Sequence, residues 1–234
     1  SLENKGIEAS LTVRPVQTKD WQVEVTGNFT YNKNEITELT GEAAMIKTGG
    51  INAGTGNQCQ VHTVGKPASS FYVYQQVYGA DGLPLEGVFV DRNNDGNISE
   101  EDRYCYKSPA APYLAGLSAR IQYKNWDLGF NLRGSFGNYV YNDRQADYAN
   151  VAKRYDSSFA CLQNTTPTAV KNNWKTYSWV LSDYFVENAS FVKLDNITLG
   201  YSFQNLFKGG SYNGLNGRVY LTATNVATIT NYSG

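Results

Sequence analysis

The 234-residue chain carries 20 basic and 21 acidic residues, and this balance gives no electrostatic reason to expect a nucleic-acid partner. Aromatic residues make up 14% of the chain and glycine occupies 22 positions, a mixture that favours strands and tight turns over helices. No run approaches the roughly 18 consecutive apolar residues of a membrane helix, so a membrane role would have to use β-strands. Because the chain lacks both an initial Met and a signal peptide, we expect it to be a fragment of a longer protein.

Apolar and polar residues alternate with a period of two in several segments, which predicts strands with one apolar face. The segments are 6–16, 21–31, 113–123, 126–136, 192–204 and 218–224. In the fifth, the apolar set changes face part-way, since Val192 and Leu194 fall out of phase with Ile197 and Leu199. The sequence therefore predicts an all-β, antiparallel fold.

Two features favour a membrane barrel over a soluble β-sandwich, which would also alternate. Aromatic residues bracket three apolar stripes ten positions apart, as in Trp126 and Phe136, close to the roughly 9–11 residues of a membrane-crossing strand. Short turns and long loops also alternate along the chain, with the long loops at about 32–112 and 140–190. Outer-membrane barrels keep short turns in the periplasm and long loops outside, so we predict that both long loops are extracellular.

Residues 91–102 read DRNNDGNISEED, which resembles the spacing of a calcium-binding loop. Oxygen ligands at alternating positions wrap a hard cation, and Gly96 permits the sharp turn. The predicted ligands are Asp91, Asn93, Asp95, Asn97 and Asp102. Asp102 stands where a longer Glu is usual, and Asn97 would contribute its backbone carbonyl. The alternative is an Asp- and Asn-rich turn without an ion. No flanking helices are evident, so a calcium sensor is not expected.

The sequence offers little for catalysis. His62 is the only histidine, and it lies in a glycine-rich region without a GxSxG element. Glu100 and Glu101 could suggest glycosidase chemistry, but they fall inside the calcium-type loop and are expected to be solvated. Cys59, Cys105 and Cys161 form an odd set that leaves open one disulfide or three free thiols. We predict that the chain is not an enzyme.

A second candidate function is a soluble β-sandwich that binds carbohydrate with calcium support. The second long loop carries Trp174, Tyr177 and Trp179, which could stack on sugar rings or line substrate in a transporter, or could simply pack within the loop. A sandwich would bury the apolar stripes between two sheets, whereas a barrel wall would show them to lipid. A structural or adhesive surface protein is a third class, but no repeated block supports it.

Several blocks resemble SusC-like, TonB-linked outer-membrane transporters, in matching order and spacing across nearly the whole chain. They are NKGIEASLTVRPVQTKDWQVEVTGNFTYNKNEI, GKPASSFYVYQQVYGADG, GVFVDRNNDGNISEEDR, SPAAPYLAGLSARIQYKNWDLGFNLRGSFGNYVYN, YFVENASFVKLDNITLGYSF and RVYLTATNVATITNYSG. The resemblance identifies residues 1–234 as a fragment from the C-terminal side of such a barrel, without the plug domain.

The resemblance implies a barrel of about twenty-two strands in the bacterial outer membrane, in contact with its lipid. It implies a SusD-like surface lipoprotein as partner, and energy from the TonB complex acting through the absent N-terminal part. The substrate would be a glycan fragment or a peptide, and the only cofactor expected is a Ca²⁺ ion in the 91–102 loop.

Overall fold

The computed structural model describes the chain except residues 42–43, 55, 152–154, 157–160, 163, 177–179 and 207–213. Six long strands form one antiparallel sheet, which we call the wall. They are β1 (Leu2–Gln17), β2 (Trp21–Ile36), β9 (Tyr113–Tyr123), β10 (Trp126–Phe136), β15 (Phe191–Leu206) and β16 (Leu215–Thr230), in that spatial order. Each wall strand pairs with the next wall strand along the chain, so the wall is an up-and-down meander. The strands predicted from the period of two are confirmed.

The change of face predicted in the fifth segment has a structural cause. Asn131 on β10 faces Asn196 on β15, but the next residue, Leu132, faces Leu194. Asp195 is therefore an extra residue, a β-bulge that shifts the phase of everything before it on β15. The bulge keeps the apolar residues of both halves of β15 on one side of the wall. A second bulge, at Arg14 and Pro15 of β1, accommodates a proline that cannot donate a ladder hydrogen bond.

The apolar face of the wall is uncovered. Ile7 is 70% exposed, Leu11 69% and Leu221 76%, although a sandwich would have buried such side chains beneath a second sheet. Large contiguous apolar surfaces of this kind mark contact with a partner or a membrane. The exposure removes the main support for the soluble sandwich.

Aromatic rings border this apolar face at both ends. Trp21, Tyr123, Trp126 and Tyr201 form a row next to the short turns, with ring centroids 4.4 Å apart for Trp21–Tyr123 and 4.8 Å for Trp126–Tyr201. Tyr31 and Tyr113 pack at the opposite end, 5.2 Å apart. Ten residues of strand rise about 33 Å, and the usual barrel tilt of 35–45° reduces this to roughly 25 Å. That height matches the apolar band of an outer-membrane barrel.

The two long connections fold into a second unit, which we call the loop body. Its first sheet contains β3 (Met45–Gly50), β4 (Gln58–Thr63), β5 (Ser70–Val73) and β8 (Tyr104–Cys105). Three two-stranded sheets pair β6 (Gln76–Tyr78) with β7 (Pro84–Phe89), β11 (Tyr139–Tyr141) with β14 (Val186–Asn188), and β12 (Tyr155–Asp156) with β13 (Cys161–Leu162).

Short helical segments complete the loop body. They are α1 (Asp143–Asp147), α2 (Pro167–Asn172) and the 3₁₀ turns Glu100–Asp102 and Asp183–Phe185. Thr166 caps α2 by accepting a hydrogen bond from the Ala169 N–H, and Pro167 fits its first turn, where no donor is needed. In the described part of the chain, no helix has the length and apolar character required to cross a membrane.

Residues from both long connections share one hydrophobic core in the loop body. Val73 and Phe71 from the first connection pack in a cluster with Tyr141, Trp174 and Phe185 from the second. A parallel bridge joins Tyr74 to Ser182, so the backbones of the two connections are also hydrogen-bonded. The predicted extracellular loops therefore form one packed structure.

Candidate functional site

The polar face of the wall carries charged pairs close to the short turns. Arg14 Nε donates to Glu24 Oε2 at 2.7 Å, and Arg218 binds Asp127 through two hydrogen bonds of 2.9 and 2.5 Å. Arg120 lies between these pairs, directly opposite Glu24 in the β2–β9 register. We call these five residues the charged belt.

Gly200 makes the second of these pairs possible. Arg218 is on β16 and Asp127 is on β10, so the guanidinium must cross the intervening strand β15. A Cβ at Gly200 would lie 2.5 Å from Arg218 Nη2 and 2.6 Å from Asp127 Oδ1, both too close for any real contact. The missing side chain therefore opens the path between strands that are not neighbours.

Further from the short turns the polar face is neutral. The hydroxyls of Thr12 and Thr26 are 2.9 Å apart, as are those of Thr198 and Thr222. Asn131 Nδ2 donates to Asn196 Oδ1 at 3.0 Å. Above this band the Asp195 bulge returns charge to the surface, because its carboxylate binds Arg133 at 2.8 Å. The polar face thus offers hydroxyl and amide groups in its middle and ion pairs at both ends.

The predicted calcium-type loop is folded by its own carboxylate and amide oxygens. Asp91 Oδ2 accepts from the Gly96 N–H at 2.8 Å, which closes the first half of the loop. Asn93 Oδ1 accepts from the Asp95 N–H, and Asp95 Oδ1 from the Asn97 N–H at 2.7 Å. Gly96 has φ of +83°, as the sharp turn requires.

Two oxygens test whether this loop fits a cation. Asp91 Oδ1 is buried and has no hydrogen-bond partner, as expected of an atom reserved for a metal. Asp102 is fully buried, but it accepts from the backbone N–H groups of Arg92, Asn93 and Ser99, which lowers the pKa of its carboxyl. It therefore closes the loop at both ends. Among the described residues, no group of three or more His, Cys, Asp or Glu side chains is placed to hold a metal, and two of the predicted ligands are asparagines.

Of the aromatic residues predicted to contact substrate, the structure describes one. Trp174 is 2% exposed, and its Nε1 donates to the Pro84 carbonyl at 3.1 Å. Its ring packs against Tyr184 and Phe185 in the core of the loop body. Tyr177 and Trp179 lie outside the described residues. The geometry gives Trp174 a packing role, and substrate contact by the three residues stays a prediction.

A buried polar cluster at the centre of the loop body had no signal in the sequence. Asp183 Oδ2 accepts from the Tyr104 hydroxyl at 2.7 Å, and Oδ1 accepts from the Gln76 N–H at 3.0 Å. The Ser182 hydroxyl donates to Gln76 Oε1 at 2.7 Å. Burial raises the pKa of Asp183, although the two donors partly oppose the rise. The cluster joins the two connections across 107 positions of sequence, which no local pattern could predict.

The three cysteines are free thiols. Cys59 is buried in the core of the loop body, where desolvation raises its pKa to about 11. A thiol that stays protonated at neutral pH is a poor nucleophile and a poor metal ligand, so Cys59 is a core residue.

With this geometry in place, comparison with known proteins identifies the chain. It is 47% identical over 238 aligned residues to the TonB-dependent receptor SusC of Bacteroides thetaiotaomicron, a match that covers 100% of the chain and 24% of SusC. The chain belongs to the SusC-like TonB-dependent receptors. It is also 27% identical to the TonB-dependent receptor P3 of Formosa agariphila, over 100% of the chain and 25% of that protein. No family model matches the chain.

Solved structures give the same fold. The RagAB peptide importer in its open-open state matches 100% of this SusC-like chain with a TM-score of 0.72 and 25% identity, and its closed-closed state matches with 0.71 and 24%. In both, the chain covers 26% of the matched chain, so it spans about a quarter of the length of its relatives.

These matches decide between the predictions made from sequence. The all-β, antiparallel fold as part of an outer-membrane barrel is confirmed, as is the location in the outer membrane. The relatives are receptors and transporters, so the prediction that the chain is not an enzyme is also confirmed. The soluble sandwich is not supported.

Proposed function

We propose that the full-length protein takes up nutrients across the outer membrane with energy from TonB. The observation that carries this proposal is the 47% identity to SusC across the whole chain. The uncovered apolar face between two rows of aromatic rings supports it, because an apolar band flanked by aromatic rings is the lipid-facing surface of outer-membrane barrels. In this proposal the chain supplies wall and outer loops, from the C-terminal side of the barrel.

The proposal includes the direction of the wall and the partners. The short turns lie in the periplasm, and the loop body lies outside the cell, where it meets substrate and a SusD-like lipoprotein. The RagAB match is a peptide importer by name, and the resemblance to SusC-like transporters implies either glycan fragments or peptides, so both are candidate substrates for the full protein.

A gene deletion tests this function. Cells lacking the full-length protein should lose uptake of one class of fluorescently labelled ligand, either oligosaccharide or peptide, and complementation should restore it. Dissipating the proton-motive force should abolish the same uptake in wild-type cells. Unchanged uptake of both ligand classes in the deletion strain, with paralogous transporters also removed, would contradict the proposal.

We also propose that the loop Asp91–Asp102 binds Ca²⁺. The supporting observation is the buried, unpartnered Asp91 Oδ1 in a loop whose other side-chain oxygens fold it by accepting hydrogen bonds from its own backbone N–H groups. Asp91 and Asp95 would supply the charge, and Asn93 and the Asn97 carbonyl neutral oxygens. The bound ion would hold the outer loop rigid, without a part in chemistry.

Calorimetry on the full-length protein in detergent, after chelator treatment, tests the ion site. Calcium heat should disappear in both Asp91→Ala and Asp95→Ala. Asp81→Ala is the matched control, because Asp81 is an exposed turn carboxylate that accepts from the Leu83 N–H without belonging to the loop. If the folded protein gives no calcium heat, the loop is an acidic turn only.

A further inference from the structure

Arg120 differs from the other arginines of the charged belt because open space adjoins it on two sides. It lines two adjoining hollows, of about 340 Å³ on one side and about 450 Å³ on the other. Glu24 also lines both, and Thr26, Ser118 and Asp127 line the larger. The Arg120 side chain is exposed, and it forms no hydrogen bond or ion pair with the residues that the structure describes.

Both acidic neighbours of Arg120 are already engaged. Glu24 lies directly opposite Arg120 in the strand register, but its carboxylate binds Arg14 at 2.7 Å. Asp127 holds the fork of Arg218 through both oxygens. The charged belt therefore contains three guanidinium groups and two carboxylates, so it has one more positive charge than negative charges.

We propose that Arg120 is the binding group for a carboxylate on the polar face of the wall. A guanidinium presents two parallel N–H donors that match the two oxygens of a carboxylate. Ser118 lines the same hollow, and its hydroxyl can donate to the same anion. A single negative charge balances the belt.

The neighbouring carboxylates restrict the ligand further. Glu24 and Asp127 face the hollows and repel a dianion, so a phosphate monoester is a poor match. A monoanionic carboxylate has two possible sources. It can be the acidic side chain of another part of the same protein that rests against the wall, or the carboxylate of a transported ligand, such as a uronic acid or the C-terminus of a peptide.

Arginine-specific labelling tests the assignment on the full-length protein in detergent. Phenylglyoxal modification of Arg120 is followed by mass spectrometry in low and high salt, with and without glucuronate, glycylglycine or glucose. Arg144, which stacks on Tyr148 in the loop body, reports on general reagent activity. High salt screens the attraction between exposed charges and so weakens an ion pair of Arg120. Glucose is the uncharged control for the two carboxylate ligands.

Two results support the proposal and separate the sources. If Arg120 is protected in low salt and becomes at least tenfold more reactive in 1 M salt, an internal carboxylate occupies it. If Arg120 reacts freely and either glucuronate or glycylglycine slows it several-fold while glucose does not, the site takes a ligand carboxylate.

Two other results overturn the proposal. In the first, Arg120 is free and neither carboxylate slows the reaction. In the second, Arg120 is protected and salt changes nothing, which means that neutral atoms cover the side chain. A separate variant carries a photo-crosslinking phenylalanine analogue in place of Ile121, which lies on the opposite face of β9. Crosslinking of this variant to detergent shows that the protein is folded under the labelling conditions.

Discussion

The wall and the loop body belong to one chain but follow opposite rules of burial. Ile229 on β16 is 75% exposed, whereas Trp174 and Phe185 in the loop body are 2% and 1% exposed. The loop body is built for water, so it buries its large side chains in a core of its own. The wall leaves its apolar side chains uncovered on one face, as the wall of an outer-membrane barrel does. Apolar residues therefore mark the surface of one region and the interior of the other.

Replacing Trp174 with alanine tests the core of the loop body and should have the largest effect. The change removes a fully packed ring and the hydrogen bond to the Pro84 carbonyl, which should cost about 3–5 kcal/mol of local stability. Hydrogen exchange across 70–90 and 180–188 of the full-length protein measures the loss. Val170→Ala on neighbouring α2 is the control, because Val170 is exposed. Equal protection in Trp174→Ala and wild type would show that the ring is not part of a cooperative core.

Replacing Phe130 with arginine tests the wall. If Phe130 faces lipid near the middle of the apolar band, the charge should cost roughly 2–4 kcal/mol. The amount of heat-modifiable, folded protein in isolated outer membranes should fall accordingly, while Phe130→Leu should assemble normally. Normal assembly of Phe130→Arg would contradict the assigned orientation of the wall.

Gly200→Ala tests how much the ion pair between Arg218 and Asp127 contributes to the stability of the wall, apart from the backbone pairing of its strands. The new Cβ forces Arg218 away from Asp127, and the loss of a partly exposed ion pair of this kind typically costs about 0.2–1 kcal/mol. Gly129→Ala, also on the polar face, is the matched control, because its nearest neighbour would lie at an ordinary 3.8 Å. Thermal unfolding in detergent should therefore shift for Gly200→Ala and stay unchanged for Gly129→Ala.

Asp183→Asn tests the polar centre of the loop body and should have the smallest effect. Because burial raises the pKa of Asp183 in the folded state, its ionisation opposes folding. The penalty is absent below the unfolded pKa of about 3.9 and grows as pH rises through the higher folded value. The stability of the loop body should thus fall with rising pH in wild type more than in Asp183→Asn. Parallel curves for the two proteins across pH 4–7 would exclude this role for Asp183.

The wall could be predicted from sequence because each of its strands is long enough to show a period of two. Even the Asp195 bulge left a trace, the phase change between Leu194 and Ile197. The loop body gave no such signal, since its strands have only two to six residues, and 32–112 and 140–190 were predicted simply as loops. Trp174 illustrates the difficulty, because an aromatic residue in a loop has the same sequence signature whether it binds substrate or fills a core.

The candidate sites divide in the same way. The calcium-type spacing of Asp91–Asp102 is local, so the sequence contains it in full. The charged belt joins residues from five strands, and the crossing of Arg218 over Gly200 depends on a register that exists only in the folded sheet. Arg120 appears in the sequence as one polar residue of an alternating strand, and only the engagement of its neighbours makes it distinctive.

The bond between Gln76 and Asp183 also has a consequence for the order of biogenesis. The two residues are 107 positions apart, and strands β9 and β10 lie between them in the chain. Contacts at such separation form late, because the intervening chain must first be arranged. We therefore expect the loop body to be completed only after this central hairpin has paired with its neighbouring strands. Its Tyr104–Asp183 contact could serve as a reporter that insertion has finished.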